Sequence, residues 1–220
     1  MSRISLNDGW KYEECFNESI IHRDFDDSTL EAVRLPHTCK ELPLHYFNEE
    51  DYQFVCGYRK TFIPDQTWEG KSVRLTFDGV GHYAEVYLNG NKIGQHNTGY
   101  TAFTLDITKE LSFGEENILA VLVDTRESIN TPPFGFVVDY LTYGGIYREV
   151  YLDVTEKNYI ADIFSRSIFE EKIVDENKGK SILRSSLELN IDLKKRRYKI
   201  KQSLFDGEIL LNREEKEVGS

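Results

Sequence analysis

The chain has 220 residues, of which 40% are hydrophobic and 30% are charged. This length accommodates one large domain or two smaller ones, and the 13 Phe, 13 Tyr and 2 Trp residues exclude an intrinsically disordered chain. The 27 basic and 38 acidic side chains give a formal net charge of −11. This charge disfavours partners that are themselves polyanions, so we expect no nucleic-acid and no membrane partner.

The apolar runs and the cysteines indicate the compartment. The longest purely apolar run, Ile118 to Val123, is far shorter than a membrane span of about 20 residues. The first residues carry no apolar stretch that could act as a secretory signal. The three cysteines, Cys15, Cys39 and Cys56, are odd in number and show no CxxC spacing. We therefore expect a reduced, cytoplasmic setting.

Helical signals are few and short. The first is the capping-box spacing of Ser28-Thr-Leu-Glu31, and the nearby Pro36 leaves room for only a turn or two of helix. A second segment, Thr108-Lys-Glu-Leu111, is expected to form one turn before Gly114.

Alternating apolar and polar residues predict β-strands along most of the chain. Such strands are expected at Val73–Asp78, Ala84–Leu88 and Arg148–Val154. Asn89-Gly90 predicts a hairpin turn into Lys92-Ile-Gly94, because both central residues of a type I′ turn need positive φ. The run Ile118–Val123 is apolar on both faces and indicates a central strand between two layers. Many short strands with little helix predict an all-β, jelly-roll β-sandwich over residues 1–156.

A second unit is expected over residues 157–220, with about four strands. The segments that carry them are Tyr159–Phe169, Leu187–Leu193, Tyr198–Phe205 and Glu208–Leu211, with a turn at Asp206-Gly207. A seven-stranded immunoglobulin-like sandwich needs about 100 residues. The unit therefore reads as the truncated start of such a sandwich, and the final residues, Glu214–Ser220, are not expected to form a closing strand.

The chain contains none of the common catalytic motifs. It lacks GxSxG, HExxH, a phosphate-binding GxxxxGK[ST] and GxGxxG before a helix, and its five histidines are scattered. Cys15 and Cys39 lie near His22 and His37 in sequence, but the spacings match no metal or nucleophile pattern. Buried structural thiols are the preferred interpretation. No metal site, cofactor or catalytic residue is predicted from residue chemistry.

One long, aromatic segment, residues 131–148, joins the central strand to the next strand. Segments of this length without secondary structure are usually functional. Proteins commonly grip sugars by stacking aromatic rings on the C–H face and by accepting hydroxyl hydrogen bonds with a carboxylate, which Asp139 could provide. The structural alternative is that Tyr140, Tyr143 and Tyr147 close the end of the sandwich while Asp139 pairs with Arg148. The residues alone favour this alternative.

The run Asp139-Tyr-x-x-Tyr-Gly-Gly-Ile-Tyr-Arg-Glu-Val150 resembles the signature that closes the N-terminal sugar-binding domain of glycoside hydrolase family 2. That family includes β-galactosidases, β-glucuronidases and β-mannosidases. Further matches follow in chain order at Val33–Thr38, Tyr58–Pro64, Leu75–Val80, Glu85–Gly90, His96–Phe103, Asp106–Thr108 and Glu116–Val121. The resemblance covers about residues 7–155 and is specific as an ordered set. From Tyr159 onward the chain resembles the family's immunoglobulin-like second domain less distinctively.

The resemblance implies a division of labour between this chain and a catalytic domain. The family carries two catalytic glutamates on a (β/α)₈ barrel of about 250 residues, third in the chain, and uses a retaining mechanism. None of the catalytic residues is assigned here, so the chain alone should be inactive. The resemblance implies substrate-binding roles for Asp139, Tyr140 and Tyr143, with Tyr140 standing where the family usually has Phe. Asn48 lies near a family asparagine, but its neighbours do not match the pattern.

We therefore predict the non-catalytic N-terminal region of a retaining, β-galactosidase-like glycosidase. Its expected partners are a β-galactoside or related carbohydrate and its own barrel domain, and the full-length enzyme could form a homo-oligomer. Two alternatives from other functional classes stay open. One is a free-standing carbohydrate-binding module, and the other is a structural domain that mediates oligomerisation.

Overall fold

The structure is a computed structural model of the chain and describes residues 2–41, 43, 45–46, 48–128, 130–131, 142–169, 181–191 and 197–219. The chain divides into two compact units, Met1–Thr155 and Glu156–Ser220. All strand pairs in the described part are antiparallel, which confirms the all-β class. Within the described residues, no helix has both the length and the apolar character that crossing a bilayer requires.

The first unit contains ten strands and three short 3₁₀ helices among its described residues. The strands are β1 (Ser2–Ser5), β2 (Trp10–Glu13), β3 (Glu31–Val33), β4 (Val55–Phe62), β5 (Ser72–Phe77), β6 (Tyr83–Leu88), β7 (Asn91–His96), β8 (Phe103–Asp106), β9 (Asn117–Asp124) and β10 (Val150–Thr155). The 3₁₀ helices are Glu18–Ile21, Glu49–Tyr52 and Gln66–Trp68. The second unit contains β11 (Tyr159–Phe169), β12 (Ser181–Asn190), β13 (Tyr198–Asp206) and β14 (Ile209–Val218).

Two sheets form the first unit. One has the order β1-β10-β5-β8 and the other the order β3-β2-β4-β9-β6-β7. The alternating residues Val73, Leu75 and Phe77 of β5 join Val86 and Val121 of the other sheet in one buried cluster. A single core shared by the inner faces of two sheets is a β-sandwich, as the alternation predicts.

Strand β9 is central, between β4 and β6, as the doubly apolar run predicts. Its outer face is covered by the 3₁₀ helix Glu18–Ile21, whose Ile20 is fully buried. Arg59 of β4, itself buried, fixes this covering segment: its guanidinium donates hydrogen bonds to the carbonyl oxygens of Ile20 and His22 and to the carboxylate of Asp27. The Arg59 side chain thus holds the segment that covers the outer face of the sheet in place.

The predicted β6–β7 hairpin is confirmed. Asn89 and Gly90 adopt φ values of +52° and +85°, which fit the type I′ turn. The Asn89 side chain accepts a hydrogen bond from the backbone N–H of Ile118 (3.0 Å) and donates one to Oδ1 of Asn117 (2.9 Å). The fully buried Asn117 in turn donates to the carbonyl oxygen of Ser112 at 2.7 Å. Amide side chains therefore hold the turn end of β6 to the start of β9.

The helical expectation at Ser28–Glu31 is wrong. The backbone N–H of Ser28 bonds the carboxylate of Asp26, that of Leu30 bonds the carbonyl of Asp27, and the segment forms a turn. Glu31, the residue expected to complete the capping box, begins β3 and pairs with Tyr12 of β2. Glu31 therefore pairs in the sheet and is not available to cap a helix. The segment Thr108–Leu111 contains a hydrogen-bonded turn, in which the N–H of Glu110 bonds the Ile107 carbonyl oxygen, but it does not form a helix.

The described residues of the second unit form two antiparallel strand pairs, β11–β12 and β13–β14. The four strands were predicted, but β14 extends to Val218, so the expectation that residues 214–220 form no strand is wrong. The cause is cross-strand charge pairing: Nζ of Lys199 and of Lys201 each lie 3.1 Å from the carboxylate of Glu215. Opposite charges on facing strands stabilise such pairing, whereas polarity alone suggested a loop.

Candidate functional site

The segment predicted to bind sugar, residues 131–148, lies within the β9–β10 connection, which runs from residue 125 to residue 149. Asp139 and Tyr140 lie outside the described residues. Tyr143 is described, and 49% of its surface is exposed. Both ends of the connection are described: the outgoing flank (residues 125–128, 130 and 131) and the return flank (residues 142–149). These two flanks fix the positions from which residues 132–141 depart and to which they return.

The outgoing flank begins at Thr125, which is buried against the residues before β4. Its hydroxyl donates to the carbonyl oxygen of Tyr52 at 2.6 Å and accepts from the backbone N–H of Phe54 at 3.0 Å. The backbone N–H of Thr125 bonds the Phe54 carbonyl oxygen at 2.9 Å. Three hydrogen bonds around one buried residue therefore define where the chain leaves the sheet.

Two polar contacts continue along the outgoing flank. Arg126 forms a two-pronged ion pair with Asp124, with N–O distances of 2.9 and 2.6 Å. The hydroxyl of Thr142, on the return flank, donates to the Glu127 carboxylate at 3.2 Å. The second contact joins the two flanks to each other, so residue 142 of the return flank lies beside residue 127 of the outgoing flank.

The return flank is held by backbone hydrogen bonds on both sides. Gly145 and Gly81 exchange two N–H···O bonds of 3.0 Å each. On the other side, the N–H of His37 bonds the Ile146 carbonyl oxygen at 2.8 Å, and the N–H of Cys39 bonds the Gly144 carbonyl oxygen at 3.0 Å. The return flank is thus bonded to the residues that precede β6 on one side and to the segment that follows β3 on the other.

Gly144 and Gly145 are required by packing as well as by backbone conformation. Gly145 has a φ of +117°, and a Cβ there would lie 2.6 Å from the His37 carbonyl oxygen and 2.9 Å from the Tyr58 hydroxyl. A Cβ on Gly144 would lie 2.1 Å from Cγ2 of Thr125. The sequence predicts a tight return at this pair, and the structure adds that no side chain fits at either position.

An aromatic cluster of Tyr12, His37 and Tyr58 lies beneath the return flank, with ring centroids 4.9 to 5.7 Å apart. The Tyr58 hydroxyl and Nδ1 of His37 are 2.8 Å apart, and the Tyr12 hydroxyl donates to the Cys39 carbonyl oxygen at 2.7 Å. Burial lowers the pKa of His37 and raises the pKa of Tyr58. Both groups are therefore neutral at neutral pH, and the cluster is a rigid support that carries no charge.

The cysteines differ from one another. Cys39 and Cys56 are buried, as the structural-thiol interpretation predicts for Cys39, and their Sγ atoms lie 2.8 Å apart. Cys15 is exposed, so the same interpretation is wrong for Cys15. Cys15 follows β2 at the surface, and His22, the histidine that is near it in sequence, is exposed as well.

His82 is a buried residue that sequence reasoning did not single out. It lies between Gly81, which bonds the return flank, and Tyr83, and only 2% of its surface is exposed. Burial lowers the pKa of its imidazole, and the nearby Glu127 and Asp124 oppose that effect. Neither ring nitrogen has a hydrogen-bond partner among the described residues. A single histidine carries no spacing signal, so only the fold could place it here.

An open cleft of about 440 Å³ lies beside the outgoing flank. Its lining combines one aromatic ring with charged and hydroxyl side chains: Tyr83, Asp124, Arg126, Glu127, Ser128 and Thr131. This mixture suits a polyhydroxylated ligand, because rings and hydrogen-bonding groups are both present. No group of three or more His, Cys, Asp or Glu residues in the described part of the chain could hold a metal ion.

Tyr147 and Arg148 pack against the scaffold. The Tyr147 hydroxyl donates to the carbonyl oxygen of Gly99 at 2.5 Å. The Arg148 guanidinium donates to the carbonyl oxygens of Tyr100 and Asp78 at 3.4 and 3.5 Å. Tyr147 therefore has the structural role that the alternative interpretation gave it, whereas the Asp139–Arg148 pair of that interpretation involves a residue outside the described part.

Asn48, the position near a family asparagine, has a local structural role. Its side chain accepts a hydrogen bond from the backbone N–H of Glu50 at 3.4 Å and begins the 3₁₀ helix Glu49–Tyr52. An asparagine at a helix start needs no functional explanation.

Comparison with known proteins gives consistent results. The β-galactosidase of Thermoanaerobacter pseudethanolicus is 46% identical over 160 residues, which are 72% of this chain and 20% of that protein. The β-glucuronidase of Bacteroides fragilis is 33% identical over 161 residues, 73% of this chain and 22% of that protein. The crystal structure of Bacteroides uniformis β-glucuronidase superposes with a TM-score of 0.81 at 26% identity, covering 99% of this chain and 26% of that one.

The chain thus spans about a fifth of the length of the curated relatives it matches. Residues 13–155 match the family model described as "Glycosyl hydrolases family 2, sugar binding domain". This range includes both flanks of the β9–β10 connection and the whole of strands β3 to β10, whereas it includes only Glu13 of β2. The chain therefore belongs to glycosyl hydrolase family 2.

Proposed function

We propose that this chain is the N-terminal region of a retaining, β-galactosidase-like glycosidase. In this proposal the first unit presents the β9–β10 connection as one wall of the active site, and a barrel domain outside this sequence supplies the catalytic carboxylates. The choice of β-galactoside is supported by identity, which is 46% to the β-galactosidase and 33% to the β-glucuronidase.

The observation that carries the proposal is the anchoring of both flanks. Thr125 and Gly145 are each held by buried hydrogen bonds, and Thr142 links the flanks through Glu127. A functional loop requires such support, because binding groups must be held close to their productive geometry. The described flanks of the β9–β10 connection provide such support.

Asp139 has the chemistry for substrate binding in this proposal. An ionised carboxylate accepts hydrogen bonds at both oxygens, which matches two neighbouring sugar hydroxyls. Hydroxyl contacts in glycosidase sites strengthen as the sugar ring distorts toward the oxocarbenium-like transition state. Asp139 would therefore lower the barrier by binding the transition state more tightly than the substrate, with Tyr140 and Tyr143 offering rings for the sugar face.

The test is made in the full-length protein that the native gene encodes. Replacing Asp139 by Ala should lower kcat/KM for a chromogenic β-galactoside about 100-fold or more, in line with the loss of a contact made in the transition state. Asp24→Ala is the matched control, because Asp24 is an exposed aspartate far from the β9–β10 connection. Its neighbour His22 lies close to Gly90, at one end of β6, whereas Gly81, which bonds the return flank, lies at the other end. An Asp139→Ala enzyme with unchanged kcat/KM would show that this carboxylate does not bind the sugar.

A second measurement separates the proposal from the two alternatives. The 220-residue chain alone should neither hydrolyse the β-galactoside nor bind galactose in a calorimetric titration, because most of the pocket belongs to the barrel. Galactose binding without hydrolysis would support a carbohydrate-binding module instead. Light scattering on the same sample tests the oligomerisation alternative, since a monomer contradicts it. Parallel assays of β-galactoside and β-glucuronide with the full-length protein decide the sugar.

A further inference from the structure

Two buried thiols face each other beneath the return flank. The Sγ atoms of Cys39 and Cys56 are 2.8 Å apart, with 8% of the surface of Cys39 and none of that of Cys56 exposed. Neither thiol has a part in the proposed sugar site. We propose that Cys39 and Cys56 are an oxidation-sensitive pair that forms a disulfide bond when the protein meets a small peroxide.

The pair is set up by backbone elements that are positioned independently. Cys56 lies in β4 and pairs with Val123 of β9. The N–H of Cys39 is bonded to Gly144, and its carbonyl oxygen accepts from the Tyr12 hydroxyl. Since a disulfide has an S–S bond of about 2.05 Å, the two sulfurs need to approach by less than about 1 Å. Pairing therefore requires only a local shift and leaves the sheet register intact.

The chemistry balances with hydrogen peroxide as the oxidant. The Cys39 sulfur attacks one peroxide oxygen, the O–O bond breaks, and Cys39 becomes a sulfenic acid; the departing hydroxide takes up the proton that the Cys39 thiol releases and leaves as the first water. The Cys56 sulfur then attacks the Cys39 sulfur, the S–OH bond breaks, and the departing hydroxide takes the Cys56 proton to form water. The net reaction converts two thiols and one peroxide into one disulfide and two waters.

The order of events follows from exposure. Cys39 is the more exposed of the two residues, 8% against 0%, and peroxide is small enough to reach a thiol that larger disulfide reagents cannot approach. Burial raises the pKa of the Cys56 thiol, so that Cys56 keeps its proton and reacts second. The Tyr58 hydroxyl, which is neutral, lies 3.7 Å from the Cys39 sulfur.

Bond formation has a structural consequence for the return flank. The link closes the chain between residues 39 and 56, which restricts the unfolded state. It also ties the segment that holds Gly144 to β4 by a covalent bond, in addition to the existing hydrogen bonds. Oxidation should therefore stabilise the first unit and reduce opening of the return flank.

The experiment uses the 220-residue chain with Cys15→Ser, so that the exposed thiol cannot dimerise the protein. The chain is treated with hydrogen peroxide, alkylated in denaturant and digested without reductant. We expect a cross-linked peptide that contains Cys39 and Cys56, loss of both thiols, and a rise in the thermal unfolding midpoint of about 5–10 °C that dithiothreitol reverses.

Two results would overturn the proposal. One is recovery of both cysteines as alkylated thiols after treatment, and the other is over-oxidation of Cys39 to sulfinic acid with no cross-link to Cys56. These readouts need no change to the pair itself, so they do not depend on whether a variant folds. A Cys39→Ala chain that does fold should show no reversible midpoint shift. The sugar proposal is independent of either result.

Discussion

Replacing Gly145 by Ala should destabilise the first unit far more than a positive φ alone explains. The residue has a φ of +117°, and the added Cβ would lie 2.6 Å from the carbonyl oxygen of His37 and 3.0 Å from the backbone nitrogen of Cys39. Both contacts are with backbone atoms, which cannot rotate away as a side chain can. The segment of His37 and Cys39 must therefore move away from the return flank.

Two contributions lower the free energy of unfolding of the Gly145→Ala variant, namely backbone strain and the loss of hydrogen bonds. A non-glycine residue in this region of φ costs about 1–3 kcal/mol. Moving the neighbouring segment weakens the His37–Ile146 and Cys39–Gly144 hydrogen bonds, and each buried bond lost adds about 1 kcal/mol or more. We therefore expect the free energy of unfolding to fall by about 4 kcal/mol in total.

Gly70→Ala is the matched control, because Gly70 also has a positive φ, of +84°, but an added Cβ there meets no atom within 4 Å. That variant should lose only about 1–2 kcal/mol. Urea unfolding followed by tryptophan fluorescence suits the comparison, because both tryptophans of the chain, Trp10 and Trp68, belong to the first unit. The difference between the two losses in the free energy of unfolding measures the cost of the steric contacts that the added Cβ makes at position 145.

Equal losses for Gly145→Ala and Gly70→Ala would refute the reasoning. Such a result would mean that the segment of His37 and Cys39 moves without cost, so that the return flank is not fixed by its backbone contacts. The m-value should stay unchanged in both variants, because a changed slope would indicate an altered unfolded state instead.

Two further predictions concern the first unit. Asn117→Ala should lower the free energy of unfolding by about 3 kcal/mol in the same assay. The substitution removes a fully buried side chain that forms hydrogen bonds with Ser112 and Asn89. A loss under about 1 kcal/mol would contradict this. Burial lowers the pKa of His37 and of His82 in the folded chain below the value of about 6.5 that they have in the unfolded chain. As the pH falls below about 6.5, the unfolded chain therefore binds protons before the folded chain does, and the free energy of unfolding should decrease. A urea midpoint that is the same at pH 7.5 and pH 5.5 would argue against this.

The sequence predicts those parts of the fold that depend on local patterns. Alternation predicted β5, β6 and β10, the doubly apolar run predicted the central β9, and the Asn89-Gly90 pair predicted its turn because both residues need positive φ. These signals are contained within a few residues, so no tertiary information is needed to interpret them.

The errors arise where distant residues decide the outcome. Ser28 and Glu31 have helix-capping spacing, yet Glu31 pairs with β2 because a sheet partner is available. The end of β14 has the composition of a loop, yet Lys199 and Lys201 on the facing strand stabilise it through Glu215. In both cases the partner is remote in sequence, and local propensity gives way to it.

The candidate site shows the same limit. The pattern of residues identified the β9–β10 connection and its glycine pair, but not the atoms that surround them. The contacts of Gly145 with His37 and Tyr58, and the approach of Cys39 to Cys56, join segments with no shared pattern. Such contacts follow only from the assembled sandwich.

The side chains of Asn89 and Asn117 lie at one end of the β6–β9 strand pair, and this position affects which parts of the domain can change in sequence. The asparagine pair holds the end of β6 at Leu88, whereas the β9–β10 connection lies at the other end, near Tyr83 and Asp124. Six residues of strand separate them by roughly 20 Å, a distance at which the effects of substitutions are usually additive. New side chains can therefore accumulate in residues 132–141 without weakening the amide end. The same scaffold could therefore carry different sequences between residues 132 and 141, through evolution or by grafting.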